Sequence, residues 1–332
     1  MILKTASKVG GPMTDTFSTL RIKLSNFGVG GIVVADNEPD WVRASDFQKI
    51  LDRSYDLVGI RYFDSARGYE LSEEEIGKWI KRRSAQESST QLLEQIAIGT
   101  KFSLKSFESG GDVTAYVSGQ LDISLRNLGL GSVDLYWLHA PSPKASMEAV
   151  LRALDHEVQK GRVKHYGLSN VSVAEVEEAL ALCQMHGLEK PTAIQNEYNL
   201  VVRKSAESML QLCEKENLLF FAFSPLAAGL LAGRYPSVDV FPEGTRWNGW
   251  KDSRPLPDYW TLETFENLKT LRALSIEKDV STAGLALAGC TADPRVSVVI
   301  LGPKTSEQLK PAEEAQSLTI SRTELHRLQD IF

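Results

Sequence analysis

Several apolar runs in this chain finish on polar side chains able to do chemistry: Asp64, Lys101, His139, Ser169 with Asn170, and Gln195 with Asn196. Tyr69 follows Asp64 by five residues. A free phenol ionises near pH 10 and is a poor acid or base at neutral pH. An ammonium beside it favours the phenolate and makes it a usable proton donor. Asp64 and Lys101 come from neighbouring runs and can pair. A buried ion pair adds little stability for its own sake, which favours a functional reason for it. His139 could hold a carbonyl oxygen between itself and Tyr69. The set suits proton delivery to an alkoxide as it develops. Any one of these residues serves equally well in a structural ion pair or hydrogen bond, but the group as a whole is less well explained that way.

A proton donor alone reduces nothing. No side chain supplies hydride, whereas a nicotinamide cofactor does. Phe223 could stack on such a ring, with Gln195 and Asn170 as amide partners. Segment 302–308 follows the last apolar run and opens a helix. Its Lys304, its Thr305 and the helix N-terminus would make a phosphate site.

These residues need elements to position them. Short apolar runs at 60–66, 96–102, 133–139, 163–169, 192–198, 218–226 and 296–301 suit buried parallel strands, and 27–34 is a less clear eighth. Between them Val117, Leu121, Leu125 and Leu128 mark one helical face, and Val173, Val176, Leu180 and Cys183 another. Ser72 with Glu75, Ser172 with Glu175, Thr305 with Gln308, and Ser321 with Glu324 have capping-box spacing. Gly129 and Gly187 stand where helices should stop. Strands alternating with helices, and no linker between halves, predict a single (β/α)8 barrel over 1–332, with 1–20 as an N-terminal extension. In such a barrel the catalytic groups lie at the C-terminal ends of strands, where these residues fall. A doubly wound sheet is the alternative, but the glycines at 28, 30 and 31 break the GxGxxG pattern it usually carries.

Segment 241–260 breaks the rhythm, with three prolines and Trp247, Trp250, Tyr259 and Trp260. It reads as a long loop after the seventh strand that shapes a substrate pocket or plugs the barrel mouth. A C-terminal helix follows the barrel.

Other chemistries find less support. Gly167-Leu-Ser-Asn-Val lacks the last glycine of a hydrolase elbow, and Pro303 spoils the P-loop likeness of 302–305. Five scattered histidines form no paired-His zinc site, so no metal is expected. Lys and Arg number 37 against 43 Asp and Glu, a net charge of −6. That balance argues against a nucleic-acid binder. No apolar run is long enough to span a membrane. Three widely spaced cysteines fit a reducing cytoplasm.

The ordered motifs resemble the aldo-keto reductases. They are Gly59-Ile-Arg-Tyr-Phe-Asp-Ser-Ala66 with Tyr69, Thr100-Lys101, Leu135-Tyr-Trp-Leu-His-Ala-Pro141, Gly167-Leu-Ser-Asn170, Gln195-Asn-Glu-Tyr-Asn199, Phe223-Ser-Pro-Leu226, and Ile300-Leu-Gly302 with Glu307-Gln-Leu309. Within that family the run Pro225 to Tyr235 looks most like the aflatoxin-aldehyde reductase branch. The resemblance implies NADPH-dependent reduction of an aldehyde or ketone, with NADH not excluded. It also implies a small-molecule carbonyl substrate, and it leaves oligomeric state open. It assigns Tyr69 as general acid, with Lys101, Asp64 and His139 completing a tetrad. Ser169, Asn170 and Gln195 would hold the carboxamide and Phe223 would stack. Ser224, Pro225, Leu226, Gly229, Leu230, Gly302, Lys304, Thr305 and Gln308 would line the rest of the cofactor site. Ala312 replaces an expected asparagine, and Glu70 stands where glycine is usual. Arg67, Trp247, Trp250 and Trp260 are candidate substrate contacts. A reductase or dehydrogenase for one sugar or biosynthetic intermediate, and a cofactor-sensing regulatory subunit with little turnover, remain alternatives.

Overall fold

Eight parallel strands close into a barrel in chain order. The computed structural model describes residues 20, 24–36, 41–86 and 89–332. The barrel strands are β1 (Phe27–Gly30), β4 (Tyr62–Asp64), β5 (Ala97–Phe102), β6 (Val133–Leu138), β7 (Val163–Ser169), β8 (Ala193–Glu197), β9 (Leu219–Phe223) and β10 (Val296–Leu301). Each pairs with the next, and β10 returns to β1. A small parallel pair, β2 (Val33–Val34) and β3 (Val42–Arg43), sits in the first connection. The extension expected over 1–20 lies, Leu20 apart, outside the described residues.

Strand alternation sorts side chains into two layers. Tyr62, Ala97, Leu135, Trp137, Phe221 and Val298 point inward and fill the barrel. Phe63, Ile98, Tyr136, Leu168 and Phe220 point outward and pack under the helices. Some of those helices begin and end as their sequences direct. The boxes at Ser172 and Ser321 both close, and Gly187 ends its helix in the left-handed conformation, φ 63°.

The other two expected boxes do not form. Ser72 is already the first residue of helix Ser72–Ser84, and its buried hydroxyl accepts from Ser65 Oγ at 2.9 Å. At Thr305 the chain makes a tight 3-10 turn (Ser306–Leu309). There the Gln308 side-chain oxygen accepts from the Lys304 backbone N–H.

Segment 241–260 is mostly irregular, as expected, but holds one short helix, Arg246–Trp250. Trp247 and Trp260, both 6% exposed, join Leu230, Tyr235 and Phe265 in a second apolar core beside the barrel. Trp260 donates its indole N–H to Val238 O at 2.8 Å. These two rings therefore anchor the segment.

Candidate active site

Strand register sets the site. Gly30 pairs with Asp64, Asp64 with Gly99, and Ser169 with Gln195. These residues thus reach one level at the C-terminal rim. Above it opens a cavity of about 570 Å³, within the range of small-molecule sites. Asp64, Tyr69, His139, Ser169, Asn170, Gln195 and Phe223 all contribute to its wall.

Lys101 (1% exposed) and Asp64 (3%) form a buried ion pair through Lys101 Nζ and Asp64 Oδ2. Lys101 also donates to Ser65 O at 2.8 Å. Its ammonium lies 5.1 Å from the centre of the Tyr69 ring. The Tyr69 and His139 rings meet edge to face at 5.6 Å. The four residues that the sequence brought forward are therefore neighbours. Tyr69 is held through its backbone. Its carbonyl accepts from Ser72 N–H at 3.0 Å, and Leu71 N–H donates to Val33 O of β2 at 2.9 Å. Glu70 between them takes φ 49°, a left-handed conformation that glycine adopts freely. The loop thus keeps a glycine-like path without a glycine, at a cost of about 1–2 kcal/mol.

His139 titrates well below an ordinary histidine, at about 4. Burial is the main cause, and the Lys101 ammonium adds to it. The ring is therefore neutral at pH 7 and can donate one N–H without adding positive charge. The backbone carbonyl of His139 accepts from Asn170 Nδ2 at 2.8 Å, and the same amide reaches Ser169 Oγ at 3.1 Å. Gln195 Nε2 donates to Asp64 Oδ1 at 3.2 Å, which turns its amide oxygen to the other side.

Ser224, Pro225, Leu226, Gly229, Gly302, Lys304 and Gln308 also line the cavity. Leu230 does not; it is wholly buried in the second core. Thr305 is likewise outside the lining, because the 3-10 turn takes it to the surface. Ala312 is fully buried in the main core, where it packs its helix rather than facing the cavity. Of the proposed substrate contacts, only Trp250 faces the cavity. Arg67 turns away and pairs with the buried Glu73 carboxylate at 3.2 Å. Trp247 and Trp260 are drawn into the second core.

Among the cavity residues that the sequence did not single out are Trp41, Arg246 and Arg254. Arg246 lies 5.2 Å from the Trp250 ring and 5.9 Å from the Trp41 ring, while Arg254 covers Trp250 at 4.4 Å. The spacing Arg246, Trp250, Arg254 repeats every four residues, the one signal that could have marked them. Arg234 also borders the cavity. Among the described residues no carboxylate pairs with Arg234, Arg246 or Arg254. Burial also makes the Arg246 guanidinium easier to deprotonate than an ordinary arginine. A half-buried cation without a counter-ion suits an anionic ligand.

A family model described as the Aldo/keto reductase family matches residues 27–332. The chain is 31% identical over 301 residues to an L-glyceraldehyde 3-phosphate reductase of Escherichia coli O157:H7, covering 86% of this chain and 84% of that one. It is 30% identical over 295 residues to a putative voltage-gated potassium channel subunit beta of Schizosaccharomyces pombe, covering 87% and 83%. It is 26% identical over 296 residues to aldo-keto reductase yakc of the same yeast, whose name carries NADP(+), covering 85% and 81%. The finer likeness to the aflatoxin-aldehyde branch has no counterpart among these three relatives. With the match running from the first barrel strand to the C-terminus, the chain belongs to the aldo/keto reductase family and is an oxidoreductase that reduces a carbonyl group to an alcohol.

Proposed function

We propose that Tyr69 is the general acid of an NADPH-dependent aldehyde or ketone reduction carried out by this single barrel. The observation that carries this reading is the buried Lys101–Asp64 pair with its ammonium 5.1 Å from the Tyr69 ring. When bound, the nicotinamide supplies the hydride. Tyr69 delivers its phenolic proton to the carbonyl oxygen as negative charge develops there. Lys101 stabilises the phenolate that remains, and Asp64 keeps Lys101 beneath the ring. The neutral His139 donates a hydrogen bond to the same oxygen and orients it.

The residues present fit a dinucleotide. Gln195, with its amide N–H engaged by Asp64, offers its oxygen to a carboxamide, and Ser169 and Asn170 complete that pocket. Phe223 provides a flat face for the ring. Arg246, Arg234 and Lys304 provide positive charge for phosphates, which favours NADPH over NADH. With Trp41 and Trp250 on the wall, the carbonyl substrate is a small molecule bound beside aromatic faces. The three buried, unpaired cysteines suit a reducing cytoplasm. No helix among the described residues is long and apolar enough to cross a membrane.

A cofactor-sensing role is the second reading, favoured by the similarity to the potassium channel subunit. Steady-state turnover of an aldehyde and ketone panel with NADPH and with NADH separates the two. The enzymatic reading predicts sustained NADPH oxidation with at least one carbonyl class. Tight NADPH binding with no sustained turnover on any carbonyl would support the sensor instead.

A further inference from the structure

Beneath the rim, the barrel interior contains a polar chain that ends on the Asp64 carboxylate. Trp137 Nε1 donates to Tyr62 Oη at 3.1 Å, and Tyr62 Oη donates to Asp64 Oδ1 at 2.7 Å. Both aromatic residues are fully buried. Their rings flank Phe221, with centres at 5.0 and 5.2 Å. The neighbouring strands make room for them. A Cβ at Gly99 would come within 2.2 Å of Tyr62 Oη, and one at Gly167 within 2.3 Å of the Trp137 ring. Both are distances that real side chains do not reach, so β5 and β7 carry glycine where the two large rings need space.

We propose that Tyr62 is a positioning residue for the proton transfer. The inference rests on the tetrad reading above. Asp64 divides its two oxygens: Oδ2 takes the Lys101 ammonium, and Oδ1 takes Tyr62 and Gln195. Burial and the adjacent carboxylate keep the Tyr62 phenol protonated far beyond its usual range. It therefore remains a fixed donor at every working pH. Its hydrogen bond draws carboxylate charge toward Oδ1 and sets the torsion of the carboxylate. Less negative charge then faces Lys101, and more of the ammonium's field reaches the Tyr69 hydroxyl. The chain Trp137, Tyr62, Asp64, Lys101 thus runs from the barrel core to the acid, with Tyr62 acting only through Asp64.

Tyr62→Phe keeps the ring and removes the donor. With Asp64 Oδ1 short of one hydrogen bond, Lys101 is more fully neutralised and the Tyr69 phenolate is less favoured. The alkaline fall in kcat for carbonyl reduction, and the matching rise for alcohol oxidation, should both move up by about half a pH unit or more. KM for NADPH should stay within about twofold, since this interaction lies below the cofactor site. A residue that only fills the barrel would lower Tm and leave both pH profiles in place; that result overturns the proposal. Should Tyr62→Phe fail to fold because Trp137 Nε1 loses its acceptor, Tyr62→Phe/Trp137→Phe removes that donor as well and carries the same expectation. Tyr69→Phe is measured alongside. Full turnover in Tyr69→Phe would defeat the tetrad reading itself. An inactive Tyr69→Phe with unmoved profiles in the Tyr62 variants would defeat only the positioning role.

Discussion

Replacing Lys101 by methionine separates what the buried pair does for the fold from what it does for the reaction. Methionine fills similar space, so the loss is chiefly of charge and hydrogen bonds. Two consequences follow from the geometry. The Asp64 carboxylate, 3% exposed, would keep Tyr62 and Gln195 but lose the cation that pairs with it. Breaking a buried pair from one side costs about 3–5 kcal/mol of stability. The ammonium would also vanish from beneath Tyr69. At the 5.1 Å separation to the ring centre, Coulomb's law with an effective dielectric constant of about 20 gives about 3 kcal/mol, or roughly two orders of magnitude in rate. The nearby Asp64 charge makes that an upper figure. Urea unfolding and kcat with NADPH then give independent readings. The decisive variant is Lys101→Met/Asp64→Asn. It removes the stranded carboxylate, so most of the lost stability should return while kcat stays low. Recovery of kcat together with stability would refute the reasoning, because Lys101 would then matter only to the fold.

Two further predictions concern the rim. The His139 imidazole takes up its proton at about 4 in the folded chain and at 6.5 in an ordinary setting. The unfolded chain therefore binds this proton first, and stability falls as pH drops from about 6.5 toward 4. The shift sets an upper bound of about 3 kcal/mol, reduced by the partial exposure of the ring. His139→Gln should flatten that part of the urea-stability profile, and identical profiles in wild type and variant would contradict it. Arg246→Met should raise KM for NADPH roughly tenfold or more, with kcat largely kept, because a charge-assisted contact is lost in binding rather than in chemistry. An unchanged KM across ionic strengths would remove Arg246 from the cofactor site.

The barrel was legible because its strands are short, apolar and rich in Val, Ile and Phe, while the intervening segments keep a helical period. Asp64, Lys101, His139 and Gln195 stood out because each interrupts an apolar run at the level where a barrel opens. The loops were harder. Trp247, Trp250 and Trp260 look alike in sequence. The path of 241–260 decides which ring faces the cavity and which enters the second core. Arg67 leaves the cavity because its partner, Glu73, lies on the first turn of the next helix, and a buried carboxylate outcompetes an open pocket for a guanidinium. Arg246 and Arg254 are hard to read from the sequence because their four-residue spacing lies within a proline-rich stretch that otherwise reads as irregular. At Ser72 and Thr305 the pattern of a capping box is present, but Ser65 takes up the Ser72 hydroxyl, and in the tight turn after Thr305 the Gln308 side chain binds the nearby Lys304 N–H instead.

The central claim is that the Tyr69 hydroxyl delivers the proton. Tyr69→Phe deletes that one oxygen and keeps the ring beside His139 and above Lys101. Single-turnover and steady-state kcat with NADPH are compared with NADPH affinity, read from quenching of tryptophan fluorescence at the cavity wall. The account predicts a fall in kcat on the order of 10²–10⁴ with NADPH affinity unchanged. A variant that reduces carbonyls at close to the wild-type rate would contradict it.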